Sequence, residues 1–103
     1  MSRQPGPTYS LTHIQEAVRN GAYVVTQSGL AGAAALGLDV EDIESCVLAL
    51  DEGDFYKTMA SHKVPGLMQD VYRPTFETLS IYLKLQVGKG SAVVISFKGD
   101  ESR

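Results

Sequence analysis

Residues 54–74, DFYKTMASHKVPGLMQDVYRP, mark the point where the chain changes from helical to extended periodicity. Two β-type runs flank Pro65 and Gly66, a turn-forming pair that predicts a hairpin. The same stretch concentrates polar chemistry. Lys57, Lys63 and Arg73 carry positive charge, Tyr56 and Tyr72 offer rings, and Gln69 can both donate and accept hydrogen bonds. Lys57, Gln69 and Arg73 share strand parity with Phe55, Met59 and Val71, so neither face of the hairpin is uniformly apolar. Mixed faces of this kind occur where a sheet face is half covered or where it carries a site. Setting Met59 opposite Leu67 would place Lys57 opposite Gln69.

Downstream the alternation is clean. In residues 81–87, Ile81, Leu83, Leu85 and Val87 point one way, with Tyr82, Lys84 and Gln86 the other. In residues 93–98, Val93, Ile95 and Phe97 alternate with Val94, Ser96 and Lys98, and residues 88–91 (GKGS) supply the turn. A one-residue slip would send one apolar set into water, so burial sets the register. Pairing Val87 with Val93, Leu85 with Ile95 and Leu83 with Phe97 keeps the apolar residues together. It also brings Tyr82 opposite Lys98 on the other face, with Lys84 two residues along.

Upstream the period is helical. Ser10 or Thr12 caps a first helix, the latter with Gln15 as in a capping box, and Leu11, Ile14 and Val18 form its buried stripe. Arg19 lies in its last turn and Gly21 stops it. Residues 22–25 read as a brief strand or extended link. Ser28 opens a small-residue helix, GLAGAAALG, ending at Gly37. Asp39 caps a third helix with Asp42 in its first turn and Val40, Ile43, Val47 and Leu50 as its core face. Cys46 beside that stripe reads as a buried thiol. Residues 1–9 are expected to be loosely ordered, with a short strand near residues 8–10. The pattern predicts one α+β domain spanning 1–103, with N-terminal helices packed on a mainly antiparallel sheet, here a four-stranded meander.

Composition narrows the function classes. Apolar residues make up 44% of 103, enough for one core. The single cysteine excludes an internal disulfide and fits a reducing compartment. The longest apolar run, residues 31–38, is too short to span a bilayer, and the opening MSRQP lacks a signal-peptide core, so the expected location is the cytoplasm with no membrane partner. The net charge of −3 hides an asymmetry. Through residue 53 two basic residues stand against seven acidic ones, whereas from residue 54 seven stand against five. A basic half is the electrostatic mark of a polyanionic partner, although such runs are also ordinary solvated faces.

The segments DFYKTM and QDVYRP, the strand IYLKLQV, the strand VVISFK and the GLD at 37–39 together resemble the MqsR-type toxins, the motility quorum-sensing regulator family. The resemblance covers nearly the whole chain. It implies a RelE-like fold and a type II toxin–antitoxin mRNA interferase, an endoribonuclease that works without metal or other cofactor and cuts mRNA at GCU-type sites. It also implies a cognate antitoxin of zinc-binding plus helix-turn-helix type, with DNA contacted only through that partner. The family's active-site positions fall on Lys57, Gln69, Tyr82 and Lys98, and Tyr56, Met59 and Arg73 belong to the same groove, with Lys84 a further RNA-binding candidate. Three features depart from the family: the acidic net charge, SHKVPGLM between the two motifs, and a final hairpin one residue longer.

Metal-free RNA cleavage uses the substrate's 2′-hydroxyl as nucleophile, so the enzyme must move two protons and stabilise the phosphorane. No histidine pair serves, because His13 belongs to the first helix and His62 to the turn beside the site. Lysine and tyrosine remain. Clustered cations are expected to lower the pKa of Lys57 or Lys98 toward that of a usable base, and to make Tyr82 a better proton donor or acceptor. Gln69 cannot titrate and would position phosphate or ribose. Bland alternatives stand beside these roles: Lys84 and Lys98 as solvated strand charges, Tyr56 and Tyr72 as strand aromatics, Met59 as packing, and Arg73 paired with Asp70 or Glu77. The competing function is a catalytically weak or inert module that binds an antitoxin by strand addition.

Overall fold

The computed structural model describes residues 6–101. Of the two candidate caps, Ser10 starts helix α1 (Leu11–Arg19): its backbone is extended and its hydroxyl accepts from the His13 N–H. Ile14 and Val18 are buried from this helix, and Gly21, at φ +78°, turns the chain away. Helix α2 (Gln27–Ala35) begins slightly earlier than expected, because the Thr26 hydroxyl rather than Ser28 accepts from the Gly29 N–H. Helix α3 (Val40–Leu48) opens with a reciprocal capping box between Asp39 and Asp42. Ile43, Cys46, Val47 and Leu50 are buried as anticipated. Val40 is 41% exposed, standing at the first helical position beyond the packed stripe.

Six strands follow this order in space: β1 (Tyr23–Val25), β6 (Ser91–Gly99), β5 (Leu79–Gly88), β3 (Met68–Tyr72) and β2 (Phe55–Ala60), with β4 (Thr75–Phe76) pairing β5 off this path. The expected antiparallel meander is present as β2, β3, β5 and β6. The brief run before α2 adds β1 to it in parallel with β6, so the sheet is mixed. Such a short strand persists because both ends are tied to β6. The Ala92 N–H donates to the Ala22 carbonyl and the Thr26 N–H to the Val94 carbonyl.

One sheet face carries Tyr72, Ile81, Leu83, Leu85, Ala92, Val94 and Phe97, all packed in a single cluster with Ile14, Val18, Ile43 and Val47 of the helices. Among the described residues no helix is long and apolar enough to cross a membrane. Helix α2 lies against β6 so closely that a Cβ on Gly32 would sit 2.0 Å from the Phe97 carbonyl oxygen. Glycine there is a steric requirement, which explains a residue that otherwise weakens a helix.

The segment before α1 departs from expectation. Residues 1–5 lie outside the described residues, so the expected loose order is not addressed for them. Thr8 and Tyr9 form no strand. Their N–H groups donate to the two carboxylate oxygens of the fully buried Asp70, at 2.9 and 2.8 Å, and the Tyr9 hydroxyl donates to the Met68 carbonyl. A side-chain acceptor has taken the place of a strand partner, and it ties this segment across β3.

Both hairpins differ in register from the sequence reading. In β2–β3, Met59 pairs with Gln69 and Lys57 with Val71. The loop of residues 61–67 is longer than a Pro-Gly turn demands, because the Ser61 hydroxyl accepts from the Lys63 and Val64 N–H groups and folds the loop on itself. The shift is two residues, so every side chain keeps its face. In β5–β6, Tyr82 pairs with Lys98 and Leu83 with Phe97 as anticipated, but Leu85 pairs with Val94 and Val87 with Ala92. A bulge at Ile95 absorbs the extra residue of this hairpin. Below the bulge the parity reverses, so Ala92 and Val94 enter the core where Val93 and Ile95 were expected. The turn itself, Lys89 and Gly90, has φ of +51° and +82°, as a type I′ turn requires.

Candidate active site

The face opposite the core is read directly from the pairing. Tyr82, Lys84 and Gln86 alternate with the buried Leu83 and Leu85, so they project from the open side of β5. Across the sheet Lys84 is flanked by Val71 and Ser96, and Val71 by Lys57. One step along, Tyr82 faces Lys98, whose Nζ lies 5.2 Å from the tyrosine ring centre. One step the other way, the Gln69 Nε2 donates to the Gln86 Oε1 at 3.1 Å, with Met59 opposite Gln69. The sheet thus brings Lys57, Gln69, Tyr82 and Lys98 onto one face, together with Met59 and Lys84.

Tyr56 and Arg73 reach this face by a different route. The register between β2 and β3 shifts between Phe55 and Lys57, leaving Tyr56 as an unpaired extra residue. The bulge turns its ring beneath Arg73, whose guanidinium carbon lies 4.5 Å from the ring centre, with the Lys57 Nζ at 5.4 Å. Tyr56 is 45% exposed and presents an accessible ring. Tyr72, the other aromatic of the motif, does not belong here. It is fully buried, stands edge-on to Phe55 with ring centres 5.6 Å apart, and burial first pushes its phenol up to about 12. Pairing with the core-facing Leu83 makes that inevitable.

Arg73 finds neither of the expected partners. Asp70 is engaged by the Thr8 and Tyr9 N–H groups, whereas the Arg73 Nε donates to the Asp100 Oδ2 at 2.7 Å. Asp100 is buried at the end of β6, its N–H donating to the Ser80 carbonyl. The ion pair joins the ends of β3 and β6 beside Tyr82. Arg73 therefore combines a structural tie with its stacking on Tyr56.

The electrostatics of this face act on Lys84 and Tyr82. The Lys84 amine is pushed below its ordinary pKa, by burial first and then by the charges of Lys98 and Lys57. Tyr82 moves upward, opposite to the expectation for a tyrosine among cations. Burial is the largest cause, Tyr56 and Asp100 add to it, and Arg73 opposes it only in part. Tyr82 is accordingly a protonated phenol at neutral pH. Among the described residues, no three His, Cys, Asp or Glu side chains converge as metal ligands do.

Two clefts adjoin this face. One, of about 680 Å3, is bounded by Tyr82, Lys98 and Asp100 and by Gly32 and Leu36 of α2. The other, of about 400 Å3, is bounded by Gln69, Lys84 and Gln86 and by the loop residues His62 and Lys63. Gln86 and Ser96 were not singled out as site residues. The alternation of β5 already put Gln86 on the same side as Tyr82 and Lys84, whereas Ser96 needed the pairing to Lys84. His62 lies at the rim of the second cleft, beside the lysines rather than among them.

Comparison with known proteins accords with these features. Residues 6–99 match the family described as motility quorum-sensing regulator, toxin of MqsA. A relative from Escherichia coli (strain K12), named mRNA interferase toxin MqsR, is 36% identical over 92 residues, covering 89% of this chain and 93% of the relative. With a match across both the helices and the whole sheet, this chain belongs to the motility quorum-sensing regulator family of toxins.

Proposed function

We propose that the open face of the sheet is the catalytic centre of an endoribonuclease that cleaves mRNA without a metal, making the protein the toxin of a type II toxin–antitoxin pair. The observation that carries this reading is the convergence of Lys57 and Lys98 on Lys84, with Tyr82 opposite Lys98, on the sheet face opposite the core. The name of the 36% identical relative supports the substrate class. GCU-type sites in mRNA and an antitoxin with zinc-binding and helix-turn-helix parts follow from family resemblance, and the cytoplasm is the proposed place of action.

In the reaction the ribose 2′-oxygen attacks phosphorus while the bond from phosphorus to the 5′-oxygen breaks. Lys84, in its deprotonated form, takes the 2′ proton, and the Tyr82 phenol gives a proton to the departing 5′-oxygen, whose alkoxide is far more basic than a phenolate. Lys57 and Lys98 hold the phosphorane oxygens, and Gln69 orients the nucleotide beside them. Tyr56, backed by Arg73, stacks a neighbouring base, and Met59 packs beside Gln69. The products are a 2′,3′-cyclic phosphate and a 5′-hydroxyl.

The test is cleavage of naked RNA by the purified protein in EDTA, with end-group analysis. Cyclic-phosphate ends are expected, with a loss of about 10²–10⁴-fold in rate for Tyr82→Phe and a comparable loss for Lys57→Ala. An intact RNA after incubation with the wild-type protein, or undiminished cleavage by both variants, would refute the assignment. Inertness combined with tight antitoxin binding would establish the binding-module alternative.

A further inference from the structure

We infer that the cleft floored by Gln69 and Gln86 is a nucleobase-reading subsite, in which the paired amides select the base of a nucleotide next to the scissile phosphate. The inference rests on the nuclease reading of the adjoining lysines and extends it from chemistry to sequence choice.

Position supports it first. Lys84 borders both the cationic row and this cleft, and Gln86 lies two residues farther along β5. That is about 7 Å on a strand, the scale of the separation between a phosphate and its own base. The volume, about 400 Å3, falls within the range of roughly 300–1,000 Å3 common to small-ligand pockets. A phosphate held by the lysines would thus send its base into this cleft.

The lining, which also includes His62, Lys63 and Lys84, has apolar walls that suit a base. Val64, Leu67 and Ile95 contribute apolar walls, which suit the flat faces of a ring. Val64 is 50% exposed, an apolar side chain left in water at the rim of the cleft. The Ile95 bulge that lengthens β6 is what sets this residue beside Ser96 on the cleft wall.

The amide pair supplies the edge recognition. One carboxamide donates to the other, which consumes one N–H and engages one carbonyl. Whichever amide is the donor, the pair retains one unengaged carbonyl and one NH2 group in addition. An acceptor and a donor side by side complement a base edge that offers a donor and an acceptor in turn, and glutamine reads bases in this manner elsewhere. The internal bond also holds both side chains in place before RNA arrives, so little ordering cost remains at binding. Single-stranded RNA is the form that presents unpaired base edges to such a pocket.

The experiment is cleavage of a randomised RNA pool by the full-length protein, with sequencing of the new 5′-hydroxyl ends. Selectivity is a ratio within one pool and is independent of overall rate. Gln86→Met should reduce discrimination at a single position beside the cut by about 5- to 150-fold. Gln86→Glu, which keeps the shape but replaces the NH2 donor by an acceptor, should shift the preferred base at that same position. Val64→Ser, at an exposed loop position with little bearing on folding, should weaken discrimination there to a smaller degree. Tyr82→Phe should slow all sites in proportion. Wild-type site choice in all three cleft variants would overturn the subsite and leave the nuclease reading standing. A wild-type protein that cuts no RNA would overturn both.

Discussion

Gly32→Ala should destabilise the protein, although the same change in a solvated helix stabilises. Alanine is favoured over glycine inside a helix by about 1 kcal/mol. At this position the new Cβ would lie 2.0 Å from the Phe97 carbonyl oxygen, 3.1 Å from its carbon and 3.3 Å from the Lys98 Cβ. Ordinary carbon–oxygen contacts begin near ~3.3 Å, so the shortfall is about 1.3 Å. The Phe97 backbone cannot recede, because Phe97 is paired with Leu83 inside the β5–β6 ladder. Helix α2 must therefore lift by about an ångström, loosening the buried Ala33 from the core. Overpacking of this kind costs about 1–3 kcal/mol. With a backbone atom as the obstacle we expect the upper part of that range, and a net loss of about 1–2 kcal/mol after the helix-propensity gain. Urea unfolding followed by circular dichroism measures it, and the midpoint temperature should fall by about 4–8 °C per kcal/mol. Gly29→Ala is the control. Its nearest neighbour would be the Val25 Cγ1 at 3.0 Å, a side chain able to yield, with the Val94 oxygen at 3.4 Å. That variant should be near neutral. A Gly32→Ala protein as stable as the wild type would refute the docking of α2 on β6, and with it the wall of the larger cleft beside Tyr82 and Lys98.

Further outcomes follow from the site and the turns. With Lys84 acting as the neutral base, the cleavage rate should rise with pH as its lowered pKa is passed and fall once Tyr82, raised above its ordinary value, ionises. Lys57 and Lys98 beside Lys84, and His62 and Lys63 across the cleft, face the same group. Lys84→Arg, which stays protonated, should abolish the rising limb in single-turnover assays, and an unchanged profile would remove Lys84 from proton transfer. Arg73→Met should cost about 1.5–3 kcal/mol of stability, the worth of a hydrogen bond to a charged group, because the Asp100 contact is largely buried. It should also weaken RNA binding through loss of the support beneath Tyr56, read by denaturant titration and by filter binding. Thr78 is a β-branched residue at φ +76° in the turn between β4 and β5. Thr78→Gly should raise stability by up to about 1 kcal/mol as left-handed strain is relieved, and a destabilised variant would contradict that backbone.

The boundaries of what was legible follow the range of the forces involved. Local signals were decisive for several ends of the elements: the Asp39 cap, Gly21 and Gly37 as helix stops, and the period-2 run from Ile81 to Val87 all act within a few residues. For the first cap the local pattern admitted both Ser10 and Thr12. Tyr82 opposite Lys98 was also legible, because burial of Leu83 and Phe97 admits one local register. The extra residue of β6 could be counted, but its placement at Ile95 depended on which parity the helices would bury. Non-local partners left no trace in the local pattern. Asp100 for Arg73, the Thr8 and Tyr9 amides for Asp70, and β6 for β1 were all set by chain crossings far apart in sequence.

The same division holds for the site. The amino-acid sequence by itself determined that Tyr82 and Lys84 share the face of β5 opposite the core, with Lys98 across from Tyr82, since strand alternation is a property of the backbone. Only the tertiary structure decided their ionisation. The depressed pKa falls on Lys84, between Lys57 and Lys98, and Tyr82 is raised rather than lowered. Charge–charge distances and desolvation arise when β2, β3, β5 and β6 are assembled side by side, and no single segment contains them.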